Sequence, residues 1–186
     1  MIIEETQLSL KDGRKAVLKN PMPEDAEAVL FHMKQTAGET DFLVRYPEEI
    51  HLTVEEEKEF LEDFREDAGR LFLTAWLDGE MVAVTSLTPV GGQYKYRHRG
   101  SFGISIQKKA WGLGLGSAMA REILKYAKEL GFTQVELGVD EENLTARHVY
   151  EKLGFVETGR IPRAFRLKDG SYHNEIQMVI SAESLT

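Results

Sequence analysis

Ser101-Phe102-Gly103-Ile104-Ser105-Ile106-Gln107-Lys108-Lys109-Ala110-Trp111-Gly112-Leu113-Gly114-Leu115-Gly116-Ser117-Ala118-Met119 passes from one periodicity to another through a run of glycines. Phe102, Ile104 and Ile106 alternate with small or polar neighbours, which is the pattern of a half-buried strand. Met119, Ile123, Tyr126, Ala127 and Leu130 then line one side of a helix, predicted to end at a left-handed cap formed by Gly131 and Phe132. Between the two, glycines let the chain turn tightly and let backbone N–H groups approach a ligand. The start of the helix adds about half a positive charge at the same place. Strand, glycine turn and helix start in this order form an anion cradle, suited to linked phosphates.

Two familiar phosphate-binding turns do not fit. A P-loop needs Lys and then Ser or Thr directly after its last glycine, whereas Gly116 is followed by Ser117 and Ala118. A dinucleotide fingerprint spaces its glycines G-x-G-x-x-G near the start of a parallel sheet, but Gly112, Gly114 and Gly116 are evenly spaced. They also lie past the middle of the chain, after strands joined by hairpins, so the sheet is not that of a Rossmann domain.

Outward from the turn, two hydrophobic runs flank Asp78-Gly79, the strongest short-range hairpin signal in the sequence. A short strand to Leu10, a turn at Asp12-Gly13 and a strand through Ala16, Val17 and Leu18 open the chain. Pro23 suits a first helical turn, and Ala26, Val29, Leu30 and Met33 recur at the spacing of a buried helical stripe. Residues 38–52 show no sustained period and read as a structured loop. Thr53 and Glu56 make a capping box for an acidic helix with Phe60, Leu61 and Phe64 on its apolar face. After the cradle come a strand through Val135–Val139 and a helix capped by Asn143, with Ala146, Val149, Tyr150 and Leu153 facing inward. Strands over 155–160 and 172–180, separated by a turn at Asp169-Gly170, finish the sequence.

The 186 residues fit one domain spanning 1–186, with no linker or repeat to divide them. Acidic residues outnumber basic ones 31 to 23, for a net charge of −8, which argues against wrapping a nucleic-acid backbone and weakly favours a cationic partner. Cysteine is absent, so disulfides, thiolate metal sites and cysteine nucleophiles are excluded. The five histidines do not cluster, and no metal is expected. Neither a signal-like start nor a run of roughly 18–20 apolar residues is visible, so a cytoplasmic protein without membrane contact is the expectation.

Trp111-x-x-Gly114-x-Gly116 resembles the pyrophosphate motif of the GNAT superfamily of N-acetyltransferases, with Trp111 in place of the usual Gln or Arg. That replacement is similar to the subgroup of ribosomal-protein N-terminal acetyltransferases and related small-molecule enzymes. Asn143-x-x-Ala146-Arg147-x-x-Tyr150-Glu151-Lys152-Leu153-Gly154-Phe155 resembles the second motif of the same superfamily. The resemblance implies an α/β fold, α+β by connectivity, whose mixed but mostly antiparallel sheet has about seven strands and about four flanking helices. That sheet would splay open at a cleft for acetyl-CoA. It further implies that Trp111, Gly112, Leu113, Gly114, Leu115, Gly116 and Ser117 bind the coenzyme A pyrophosphate. The pantetheine arm would pair with the strand end at Ser105 and Ile106, with Asn143 as a polar contact. A homodimer is a further implication.

Transfer of an acetyl group to an amine needs a neutral nucleophile, a donor to the developing oxyanion and a proton for the departing thiolate. No nucleophile elbow is present, so direct attack in a ternary complex is favoured over an acyl-enzyme. Tyr150 is the acid candidate, against the alternative that its ring only packs. Glu39, Asp41, His98 and Glu136 are candidate bases, alongside a chain of waters. Two other readings stand beside this one: a non-catalytic acyl-CoA-binding module, and a nucleotide-binding protein of another fold. The amine itself, and whether acyl groups longer than acetyl are used, are not encoded in any motif.

Overall fold

At the central hairpin Asp78 and Gly79 both take positive φ, 53° and 83°, the geometry that matches the twist of the paired strands. They join β3 (Leu71–Leu77) to β4 (Glu80–Pro89). In the computed structural model, which describes residues 1–184, this hairpin lies at the middle of one eight-stranded sheet. The opening hairpin, β1 (Thr6–Ser9) and β2 (Lys15–Lys19), adds to β3 on one side. On the other side follow β5 (Arg99–Ile106), β6 (Gln134–Asp140), β8 (Tyr172–Ser181) and the edge strand β7 (Val156–Arg166). Every neighbouring pair is antiparallel except β5 and β6. The sheet thus has eight strands where the resemblance implied about seven.

The β5–β6 pair positions the site. These strands share only three register pairs, Arg99 with Gln134, Gly100 with Val135 and Ser101 with Glu136. Beyond them β5 stays with β4 as far as Ile106, and β6 stays with β8 as far as Asp140, so the sheet splays between them. The expected parting of the strands is therefore present, at the C-terminal ends of the one parallel pair.

Four helices flank the sheet in two groups. α1 (Ala26–Glu39) and α2 (Val54–Glu66) cover one face, where Ala26, Val29, Leu61 and Met81 form a small core with Phe72, Trp76 and Val84. α3 (Leu115–Leu124) and α4 (Leu144–Leu153) cover the other, over a core that includes Leu73, Phe102, Met119, Ile123, Val135 and Met178. Side-chain alternation on β5 links the two faces: Phe102 meets Tyr150 of α4, and Ser105 meets His32 of α1.

Three element boundaries differ from the periodicity reading, each for a local reason. α1 runs on through Gly38 to Glu39, whose carboxylate accepts from Gln35 Nε2 at 2.7 Å and from Lys108 N at 2.6 Å. Those contacts offset the roughly 1 kcal/mol that a helical glycine costs. α3 ends at Leu124 rather than Leu130, because Lys125, Tyr126 and Ala127 donate three residues back instead of four. The expected cap still closes the segment, with Gly131 at φ 82° and Phe132 N donating to Ala127 O at 2.8 Å. β7 continues past Arg160 to Arg166, with a register shift between Ile161 and Phe165 around Pro162 and a positive φ of 54° at Arg163. Proline is tolerated there because β7 is an edge strand.

Gly100, in the parallel segment, lies under the Phe132 ring. A Cβ added to it would come 2.6 Å from Phe132 Cδ2. Gly100→Ala is therefore expected to destabilise the fold by about 1–3 kcal/mol through overpacking, read as a lower midpoint in urea unfolding.

Candidate active site

The glycine turn begins after β5 with a single 3-10 turn at Lys108–Ala110. Gly112 and Gly114 take φ of 77° and 81°, which an L side chain adopts only with strain, and Gly114 stands as the N-cap of α3 with no side chain to cap it. From Gly112 through Ser117 no backbone N–H has a partner among the described residues. The first one satisfied is that of Ala118, which donates to Gly114 O at 3.1 Å. A helix of this length leaves its first donors free unless something caps them. Here those donors form an open, uncapped row, the feature that linked phosphates require.

Lysine 11 completes this corner, and no motif in the sequence points to it. Lys11 N donates to Leu113 O at 3.0 Å, tying the β1–β2 turn to the glycine turn. Its stem lies across Gly114, where an added Cβ would be 3.3 Å from Cγ and 3.4 Å from Cε. The ammonium is thus carried to the rim of the N–H row.

Trp111 is 44% exposed and its Nε1 donates to Ile106 O at 2.8 Å, so the indole closes the end of β5 beside the glycine turn. Gln107 N donates to Val82 O at 2.8 Å, which sets the alternation of the ladder. The main chain of Ser105 is therefore spent on Val84, and the polar groups of Ile104 and Ile106 face the gap. The open edge expected at Ser105 and Ile106 lies at Ile104 and the Ile106 N–H. Which residue faces outward depends on the register with β4, and the β5 sequence alone does not encode it.

Ser105 uses its side chain instead. His32 Nε2 lies 2.9 Å from Ser105 Oγ, and Gln107 Nε2 lies 3.4 Å from His32 Nδ1 while donating to Met81 O at 3.0 Å. Gln107 Nε2 can only donate, so Nδ1 accepts and His32 carries its proton on Nε2. Burial lowers the His32 pKa to about 4, leaving the ring neutral at ordinary pH.

Tyr150 sits on α4 against both Phe102 and Phe155, with ring centroids 6.0 Å and 5.9 Å away. The helix end is fixed by Gly154 at φ 98° and by Phe155 N donating to Tyr150 O at 3.0 Å. The ring packs, and in addition its hydroxyl has no hydrogen-bond partner among the described residues. Burial pushes the phenol up to about 12, so it holds its proton. Asn143 caps α4, its Oδ1 accepting from Ala146 N at 3.1 Å.

The four candidate bases are not gathered in the gap. Both oxygens of Glu136 are held by Arg99, at 2.9 Å and 2.8 Å. Glu39 is held by Gln35 and Lys108, and Asp41 is exposed on the loop after α1. His98 precedes β5, about 26 Å along the strand from Ile106 at roughly 3.3 Å per residue. The loop after α1 does meet the last hairpin: Lys168 N donates to Tyr46 OH at 3.2 Å, and Lys168 also pairs with Glu48.

The model of the Acetyltransferase (GNAT) family matches residues 38–155, a stretch that contains the loop, the splayed strands, the glycine turn and α4. The chain belongs to this family. It is 34% identical over 108 residues to spermidine N(1)-acetyltransferase of Escherichia coli strain K12, covering 55% of this chain and 54% of that protein. The chain thus spans about half the length of the curated relatives it matches. A GNAT-family acetyltransferase structure from Streptococcus pneumoniae superposes with a TM-score of 0.84 at 28% identity, covering 89% of this chain and 99% of that one. The Salmonella typhimurium protein yncA, solved with its cofactor acetyl-CoA, shares the fold with a TM-score of 0.78 at 15% identity, over 90% and 94% of the two chains. Among the described residues, no helix of the GNAT chain is long and apolar enough to cross a membrane.

His32 gives this site a measurable pH signature. The folded chain keeps the ring neutral, so the unfolded chain takes up the proton first as the pH falls. The stability involved is present above about 6.5 and is lost on the way down to about 4, to a total of about 3 kcal/mol. His32→Gln is expected to lose about that much less stability than the unaltered protein between neutral pH and about pH 4, in paired urea titrations.

Proposed function

We propose that this GNAT chain transfers an acetyl group from acetyl-CoA to a primary amine by direct attack in a ternary complex. The observation that carries the reading is the open row of N–H groups from Gly112 to Ser117, beside a strand gap at whose β5 edge Phe102 packs against Tyr150, a tyrosine with no hydroxyl partner among the described residues. In this reading the row holds the pyrophosphate, and Lys11 adds a cation at its rim. The exposed groups of Ile104 and Ile106 pair with the pantetheine amides as an added strand would. Asn143 contributes through the α4 cap that sets the start of the Tyr150 helix.

Tyr150 then has a defined task. The nitrogen lone pair attacks the thioester carbon, the C–S bond breaks, and the phenol proton passes to sulfur. A phenol near 12 would be a weak donor to a thiolate in water. A low-dielectric setting raises a thiol in the same direction, which narrows that mismatch. Polyamines lead the acceptors to be tried, since the Escherichia coli relative is a spermidine acetyltransferase and this chain carries a net charge of −8.

Thiol release from acetyl-CoA over a panel of amines, with mass spectrometry of the products, tests the reading. Binding of acetyl-CoA with no turnover of any amine would favour a non-catalytic module. Tyr150→Phe should lower kcat on the order of 100-fold while leaving the KM for acetyl-CoA nearly unchanged. An unaltered kcat would remove the phenol from the mechanism. Lys11→Gln should do the reverse, raising the KM for acetyl-CoA by about two- to fivefold at low salt with kcat retained.

A further inference from the structure

Glu175 lies on β8 opposite the β6 end of the gap, and its carboxylate occupies a notch left by a missing side chain. A Cβ placed on Gly138 would sit well inside contact distance of Glu175 Oε1 and 2.7 Å from its carboxyl carbon. Gly138 follows by two residues the last position at which β6 pairs with β5, so the notch borders the gap itself. Glu175 Oε2 accepts from Gln177 Nε2 at 2.7 Å, which fixes the group. Oε1 has no donor, and no cation pairs with this carboxylate among the described residues.

The face matters as much as the position. Val139 and Ile176 turn into the main core beneath α3 and α4, which puts Gly138 and Glu175 on the opposite face, where both keep some exposure. Tyr150 is packed on the α4 side, against Phe102. The Tyr150 ring and the Glu175 carboxylate therefore lie on opposite faces of the sheet at the strands that flank the opening. That arrangement lets one group take a proton from the entering amine while the other gives one to the departing thiolate. Glu136 shares this face at the last pair of β5 with β6, but Arg99 holds both of its oxygens.

We infer that Glu175 is the catalytic base and ammonium site of the acceptor, an inference that rests on the transferase reading given above. The acceptor arrives as an ammonium ion and loses one proton to Glu175 Oε1. The freed lone pair forms the C–N bond to the thioester carbon. On collapse the C–S electron pair goes to sulfur, which takes the phenol proton of Tyr150. The surplus proton on the new amide nitrogen restores the phenol, and Glu175 passes its own proton to water. The products are the acetamide, the free thiol and one released proton, so atoms and charge balance.

The test compares Glu175→Gln with the unaltered protein, using the best acceptor of the panel and then trifluoroethylamine, which is already uncharged at neutral pH. The substitution should lower kcat/KM for the basic amine on the order of 100-fold while leaving the KM for acetyl-CoA unchanged. The loss should shrink to a few-fold with trifluoroethylamine, which needs no base. Gly138→Ala, which evicts the carboxylate and keeps it in the chain, should reproduce the same selective loss. Full activity of Glu175→Gln, or an equal loss with both amines, would overturn the assignment. Failure of the unaltered protein to turn over any amine would instead overturn the transferase reading, and the role of Glu175 with it.

Discussion

The parting of β5 from β6 after three shared pairs is the constraint on which the rest of the molecule depends. Each strand is held elsewhere by a longer ladder: β5 by seven pairs with β4, and β6 by seven pairs with β8. Adjacent strands rotate by roughly 20–25° relative to one another. Two well-anchored strand pairs joined by a short parallel segment diverge under that twist. Arg99 and Glu136 clamp the joined end with two hydrogen bonds, and Phe132 fills the space over Gly100 at the same level. The opening is thus a consequence of where pairing is strong, and the connection through α3 brings the glycine turn to its mouth.

Much of this was legible because it is written in local chemistry. The Asp78-Gly79 hairpin, the Thr53–Glu56 capping box and the glycine cap at 131 all fall where residue type alone dictates backbone geometry. The glycine turn belongs to the same class, since its conformation is imposed by Gly112 and Gly114 themselves. What stayed hidden depends on pairing across distance. Lys11 approaches Gly114 only because β1 and β2 lie beside the turn in space. The outward face of β5 follows from its register with β4, and Glu175 meets Gly138 only through the β6–β8 register. Glu136 illustrates the converse: its residue type suited a base, but a neighbouring strand supplies Arg99 to occupy it.

Two buried titratable groups on the α1–α2 side pull the stability in opposite directions. His32 favours the fold only while it is neutral, so its contribution fades as the pH falls from about 6.5 towards 4. Burial pushes Glu57 on α2 up to about 7, so the fold prefers its protonated form, and that preference is lost as the pH rises from 4.5 towards 7. Over the shared interval the two slopes oppose each other. A flat pH profile of the whole protein would therefore be a cancellation between α1 and α2, not a lack of buried charge.

The glycines around the gap serve three separate ends. At Gly112 and Gly114 the requirement is a backbone angle, and it leaves N–H groups uncovered. At Gly116 it is space, since an added Cβ would come 3.0 Å from Ile106 Cδ1 and press the helix start away from the strand end. At Gly138 the backbone is ordinary extended strand, and the missing side chain makes room for the Glu175 carboxylate at the rim of the opening. The first two shape the turn of unpaired main-chain donors on the α3 side. The third serves a charged side chain on the other side of the sheet. One opening is thereby equipped differently on its two faces: main-chain donors for an anion on one, and a carboxylate for a cation on the other. The transfer proposed above, from an anionic acyl carrier to a cationic amine, matches that asymmetry.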